Sequence, residues 1–185
     1  MSNIIVFDID KTLVKKNLHE LIISNWLGGS YLRRVSYKIV CAIISALPHR
    51  SLRRRFEYFV MFLICDHDIQ RFTIDIMGDA NMVNLRLINR IDRYRRLGIE
   101  MVMVTAAPSN VVKHLSLHLN IPVYSSRSIF GFLYSDLLGK KYRIYKLLEL
   151  QGRKIKSIYS DSPLDFYNLS KNYLVLDNFT LTIAR

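Results

Sequence analysis

Four short runs of apolar residues, rich in β-formers, each end on a polar cluster. Residues 4–7 (Ile-Ile-Val-Phe) lead into Asp8, residues 100–104 into Thr105, 155–159 into Ser160 and Asp161, and 173–176 into Asp177. Unbroken apolar runs of this length suit strands covered on both faces, as in a parallel sheet. Helical stretches lie between them. Residues 110–119 follow Pro108 and Ser109, with Ser109 placed to cap the helix and Asn120 to end it. Residues 141–150 stop before Gly152, a good C-terminal signal, and residues 164–170 make a shorter helix. Strand–helix alternation of this kind predicts an α/β fold built on a doubly wound parallel sheet, a Rossmann-like core.

One region breaks the rhythm. Residues 14–98 show no strand pattern; helical patterns rich in Leu, Ile, Phe and Arg are interrupted at Gly28-Gly29 and Pro48-His49. The expected organisation is therefore a catalytic core from residues 1–13 and 99–185, with an α-helical cap, residues 14–98, inserted after the first strand. Residues 129–138 alternate around Gly131 and predict a small hairpin.

Open α/β sheets bind ligands at the carboxyl ends of their strands. The polar residues that follow the apolar runs are Asp8, Asp10, Thr12, Thr105, Asp161 and Asp165. Carboxylates gathered at one edge repel one another unless a cation neutralises them, and an oxygen-only donor set favours Mg²⁺ over zinc. Asp8 and Asp10, two residues apart, leave a strand end in the same direction. One can attack a phosphorus atom while the other handles a proton. A turn with acidic caps would also fit this stretch taken alone.

Four stretches in order resemble the motifs of the haloacid dehalogenase superfamily. Residues 4–12 match the first, a hydrophobic strand followed by D-x-D-x-T; residues 102–108 (Val-Met-Val-Thr-Ala-Ala-Pro) match the second, a strand ending in Thr. Gly139-Lys140-Lys141, opening a helix, matches the third, and residues 159–165 (Tyr-Ser-Asp-Ser-Pro-Leu-Asp) match the fourth, an acidic pair. The position of the cap and the wording of the fourth motif resemble the phosphoserine-phosphatase-like branch. Lys11 and Ser160 stand where the family often has Gly; neither departure removes a chemical group.

The resemblance implies roles. Asp8 would be the nucleophile, forming an aspartyl-phosphate. Asp10 would protonate the leaving oxygen and then activate water. Asp8, the backbone carbonyl of Asp10 and Asp161 would hold Mg²⁺, with Asp165 orienting the metal shell. Thr105 and a lysine would bind the phosphoryl oxygens. Lys141 is favoured over Lys140, because Ile144 and Leu148 lie three and seven residues on and would seat its helix.

Composition adds the partner class. The chain has 185 residues, half of them hydrophobic, enough for one core with an inserted lobe. Its net charge of +12 calls for an anionic partner, whether a phosphorylated small molecule, an anionic membrane or a nucleic acid. Aromatic residues are not interleaved with basic ones in an RNA-binding pattern, so no nucleic-acid partner is expected. Cys41 and Cys65 lie in apolar runs and read as buried free thiols in a reducing compartment. The first residues lack a positive n-region and a cleavage site, which points to a cytoplasmic location.

The cap should set selectivity. Apolar residues 39–47, the basic stretch Pro48 to Arg55 and apolar residues 56–65 read as helix, basic turn, helix. Two readings stay open: an ordinary hairpin packed on the core, or a lipid-facing hairpin whose arginines meet anionic headgroups at the inner face of a membrane. The apolar runs are too short to cross a bilayer, which takes roughly 20 helical residues. The phosphatidylglycerophosphate phosphatases of this branch have a similar hydrophobic cap. A phospholipid or lipid-linked envelope intermediate, or a soluble sugar or amino-acid phosphate, would then be the substrate. A phosphotransferase of the same fold is an alternative, and a non-enzymatic basic protein a more distant one.

Other tempting clusters read as structural. Asp66-His67-Asp68 suits a polar loop, and Arg90, Arg93, Arg95 and Arg96 a solvated helix face. His114 and His118, at i and i+4, lack an evident third ligand.

Overall fold

The computed structural model describes residues 2–45, 50–167, 171–176 and 179–184. Asp177 and the Pro48-His49 break lie outside them. The chain opens with β1 (Ser2–Phe7) and then runs through five helices: α1 (Leu18–Gly28), α2 (Tyr31–Ser45), α3 (Arg50–Leu63), α4 (Asp66–Gly78) and α5 (Leu85–Arg96). There follow β2 (Glu100–Pro108), α6 (Ser109–Leu119), β3 (Val123–Ile129), β4 (Phe132–Ser135), α7 (Tyr142–Leu150), β5 (Arg153–Ser160), a 3₁₀ turn at Pro163–Asp165, β6 (Lys171–Val175) and β7 (Leu181–Ala184).

The described strands form one seven-stranded sheet in the order β4-β3-β2-β1-β5-β6-β7. The five central strands are parallel, and the edge strands β4 and β7 pair antiparallel. The direction of winding reverses beside β1, which puts the switch point at its carboxyl end.

Alternation along the central strands separates two cores. Ile4 and Val6, with Val102 and Val104, pack on Tyr145 and Leu148 of α7. Ile5 and Phe7, with Met101 and Met103, face the larger core, which takes in Val111 and Leu115 of α6 and the cap residues Leu18, Ile22 and Met61. The β1–β5 register shifts between Ile4 and Ile5, leaving Lys156 as an extra residue. The shift lets Ile155 and Ile158, three apart, share the α7 face. Across three neighbouring strands Phe7, Tyr159 and Tyr173 stack at centroid distances of 5.0 and 4.6 Å.

Several details depart from the sequence expectation. Pro108, not Ser109, stands at the N-cap of α6, while Asn120 ends the helix in a left-handed conformation at φ 49°. Asp66 and Asp68 lie in the first turn of α4 rather than in a loop. Cys41 is only half-buried and Cys65 is exposed, correcting the buried-thiol reading. The reason is local: no described residue of α2 is buried, and Cys65 sits at the N-cap of α4, where the chain turns. Arg53, Arg54 and Arg55 fall within α3, so this part of the basic stretch is helical. Arg90 lies over the Tyr159 and Tyr173 rings and donates to the Tyr159 hydroxyl at 3.1 Å, so it is more than a solvated charge.

The hairpin of β3 and β4 turns through Phe130 (φ 48°) and Gly131 (φ 81°). Positive φ at both central residues is the type I′ pattern that matches strand twist. A Cβ at Gly131 would lie 3.0 Å from Phe59 Cα of α3. Gly131→Ala should therefore destabilise the protein by about 1–2 kcal/mol through strain and that contact. Urea unfolding checks this; an unchanged midpoint would mean that hairpin and cap do not touch as described.

Candidate active site

Asp8 is the first residue beyond β1, and its N–H donates to the Tyr159 carbonyl at 2.8 Å, so backbone pairing with β5 fixes it. Ile9 and Leu13 are fully buried and anchor the turn that follows. Lys11 adopts φ 56°, the left-handed region, which accounts physically for the glycine common at this place. The Asp10 carboxylate turns toward the cap and accepts the Leu18 N–H at 2.7 Å at the start of α1. Thr12 is buried, and its Oγ1 finds no hydrogen-bond partner.

Lys141 opens α7 at its N-cap, held by the burial of Tyr145 and Leu148 beneath it. Its Nζ lies 2.8 Å from Asp8 Oδ1 and 2.7 Å from Asp165 Oδ2. The contact with Asp8 is an ion pair without hydrogen-bond alignment, and Asp8 Oδ1 accepts no well-aligned bond. Lys140 is exposed, so Lys141 is the lysine brought to the carboxylates. Asp165, on the 3₁₀ turn, also accepts from Ser160 Oγ at 2.6 Å. Asp161 follows β5 directly, and one oxygen each from Asp8, Asp161 and Asp165 lie within 4.8 Å of one another. Thr105 is fully buried near the end of β2, where its Oγ1 accepts the Ala107 N–H at 3.1 Å.

These groups line a polar pocket of about 250 Å³ that takes in Asp8, Asp10, Thr105, Lys141, Asp161 and Asp165. Burial pushes the Asp8 carboxyl up to about 7; Lys141 opposes the rise, and Asp10 and Asp165 add to it. Asp10 and Asp161 are also raised, mainly by burial. Burial alone would lower the Lys141 ammonium, but Asp8 and Asp165 outweigh it and hold the group above its usual value. The site thus has four carboxyls around one contacting ammonium, and three of them resist ionisation.

Three further residues of this pocket, Asn17, His19 and Arg54, come from the cap and were not singled out in the sequence. Arg54 of α3 reaches Asp136, beyond β4, with Nε at 2.9 Å and Nη2 at 2.8 Å, and donates from Nη2 to the Ala106 carbonyl at 2.6 Å. Tyr58, one turn on, donates to the same carbonyl at 2.8 Å. His19 also lines the pocket, with its Nε2 3.5 Å from Glu57 Oε2, and its buried Nδ1 has no hydrogen-bond partner. The spacing of Arg54, Tyr58 and Met61 marks one helix face, which is the signal that could have set Arg54 apart from its neighbours.

The tempting clusters take structural places. Asp66 accepts from His114 Nε2 at 3.0 Å and pairs with Lys113 at 2.6 Å, tying α4 to α6, while His118 is exposed. Among the described residues no helix is long and apolar enough to cross a membrane.

The architecture is shared with solved structures. A Bordetella pertussis Tohama I protein of unknown function aligns over 85% of this chain and 82% of its own, at TM-score 0.60 and 13% identity. A phosphoserine phosphohydrolase-like protein from Francisella tularensis aligns over 89% and 80%, at TM-score 0.53 and 21% identity. A phosphoserine phosphatase described as a phospho-aspartyl intermediate analogue aligns over 85% and 77%, at TM-score 0.54 and 15% identity. At such identities the likeness is one of fold. No curated relative matches the sequence. The sequence profile of the haloacid dehalogenase-like hydrolases matches residues 5–170. With the motifs in order and their carboxylates gathered at one sheet edge, the chain belongs to the haloacid dehalogenase-like hydrolase family.

Proposed function

We propose that the chain is a Mg²⁺-dependent phosphomonoester phosphatase that works through an aspartyl-phosphate on Asp8. The observation that carries this reading is the setting of Asp8, a buried carboxylate at the end of the central strand, 2.8 Å from a buried ammonium and grouped with Asp161 and Asp165.

The donor set fits a hard cation. Three carboxylate oxygens converge, Asp8 has an Oδ1 without a well-aligned hydrogen bond, and a single ammonium contacts the group among the described residues. Asp8, the backbone carbonyl of Asp10 and Asp161 would hold Mg²⁺, with Asp165 orienting its shell. When bound, the ion neutralises charge on the transferring phosphoryl group.

The chain's own residues then divide the work. An Asp8 oxygen attacks phosphorus as the bond to the leaving oxygen breaks. Asp10, whose raised carboxyl can carry a proton, gives it to that oxygen. Asp10 next takes a proton from water; the water oxygen attacks the aspartyl-phosphate, and inorganic phosphate leaves with Asp8 restored. The Thr105 hydroxyl and the Lys141 ammonium bind phosphoryl oxygens throughout. The similar phosphoserine phosphatase described as a phospho-aspartyl intermediate analogue supports the covalent route by analogy.

The pocket, about 250 Å³ and edged by Arg54, suits a phosphoryl group with a small polar neighbour. A lipid phosphate would keep its acyl chains outside, whereas a soluble sugar or amino-acid phosphate would fit whole. The test is phosphate release from p-nitrophenyl phosphate, with Mg²⁺ and with EDTA, followed by parallel lipid-phosphate and soluble-phosphate panels. Turnover is expected with Mg²⁺ and should fall to background in EDTA. Turnover insensitive to chelation would overturn the metal assignment, and phosphate passed to added alcohols in place of water would make the protein a phosphotransferase.

A further inference from the structure

The described part of α2 buries none of its residues, although its sequence is largely apolar. Leu32, Ile39 and Ile43 stand 55–76% exposed along it. On α3 the face that carries Tyr58 and Met61 turns to the core, leaving Phe59, Phe62 and Leu63 outward. The hairpin tip joins this surface: Gly131 sits against Phe59, and Phe130 meets Phe62 edge to face at a centroid distance of 6.1 Å. Phe130 and Phe132 are 72% and 75% exposed. Three elements thus present one continuous apolar surface, with a groove of about 580 Å³ between α3 and the hairpin. Surfaces of this kind mark an interaction site.

Charge selects the occupant. Residues 31–63 contain seven Lys and Arg and one acid, a net +6 of the chain's +12. That acid, Glu57, is buried, while Arg33, Arg34, Lys38 and Arg55 are exposed on the same two helices. Residues 123–135 of the hairpin contain Arg127 and no acid. We propose that α2, the outer face of α3 and the β3–β4 tip dock the protein on an anionic lipid bilayer, with the aromatic tip in the acyl boundary and the cations at the headgroups. Aliphatic and aromatic side chains exposed beside cations, with no exposed acid on the described parts of these three elements, match a negatively charged interface. The opposite face of α3 carries Arg54 into the catalytic pocket, so one helix joins the docking surface to the site.

The test is flotation with large unilamellar vesicles of phosphatidylglycerol and phosphatidylcholine, against pure phosphatidylcholine. Wild type and Asp8→Asn should float alike with the anionic vesicles. Binding should weaken when salt rises from about 0.1 M to about 1 M, where the screening length drops to about 3 Å. Phe130→Ser/Phe132→Ser, on exposed positions, should lose about tenfold in partitioning with an unchanged melting temperature. A second double variant, Leu32→Ser/Ile39→Ser, tests the helix face in the same way. A folded wild type that stays off anionic vesicles, or binding unaffected by both double variants, overturns the proposal. So does dimerisation lost in those variants without vesicle binding, which would assign the face to a second copy. Flotation is read without turnover, so its failure leaves the phosphatase reading standing.

Discussion

Asp8→Asn should abolish turnover, by at least about 10³-fold, equivalent to about 4 kcal/mol of barrier. The amide keeps the shape of the carboxylate but has no anionic oxygen to attack phosphorus, and nothing else in the pocket stands at the end of β1 in its place. The same substitution should alter stability in a way that a merely damaged fold would not. In the metal-free protein the Asp8 carboxyl sits at about 7 against an ordinary 3.8, so the folded state holds its proton more tightly than the unfolded chain. That contribution to stability is fully present below about pH 4 and is lost as pH rises through about 7. Unfolding followed in EDTA from pH 4 to pH 8 should therefore decline less steeply for Asp8→Asn than for wild type. Residual activity within tenfold of wild type would remove Asp8 from the nucleophile role, and parallel pH curves would show that its burial is not what raises it.

Lys141→Met should cost both activity and stability, because one ammonium contacts two buried carboxylates. Its loss should lower turnover by about 10²–10³-fold, the scale of removing a preorganised group that stabilises charge. Breaking a buried ion pair from one side costs about 3–5 kcal/mol, since the partners are left uncompensated. That cost should grow as pH rises, because Asp8 must then ionise without its cation, and added Mg²⁺ should restore part of it. Chemical denaturation at pH 5 and pH 8, with and without Mg²⁺, measures all three effects. An equal loss under every condition would mean that the lysine stem packs and its charge matters little.

The catalytic edge was legible in the sequence because its information is local. Asp8, Asp10, Thr105 and Asp161 each follow an apolar run directly, so finding the strands finds the residues. Lys141 could be separated from Lys140 by helix phase, although the seat turned out to be Tyr145 and Leu148, with Ile144 only partly buried. Arg54 and His19 were not singled out because their place in the pocket depends on how the cap rests on the core. Nothing in Arg53-Arg54-Arg55 alone says that the first pairs with Glu57, the second enters the pocket and the third is exposed. The thiols were misjudged for a related reason: an apolar run is buried only if something covers it, and nothing described covers the outer face of α2, which carries Cys41, while Cys65 stands where the chain turns into α4. The antiparallel edge at β4 was announced by the hairpin pattern around Gly131, whereas that at β7 was beyond reach, since direction at an edge is set by pairing rather than by residue pattern.

The bond from Arg54 to Asp136 makes the insertion non-modular. Asp136 also accepts from Ser126 Oγ and from the Leu138 N–H, and so helps shape the approach to Gly139 and Lys141. A chimera carrying a foreign cap without an arginine at this place would strand a half-buried carboxylate beside the loop that delivers the lysine. Diversification of the cap and of that loop is therefore coupled, and a drifting lineage must exchange both halves of the pair or neither.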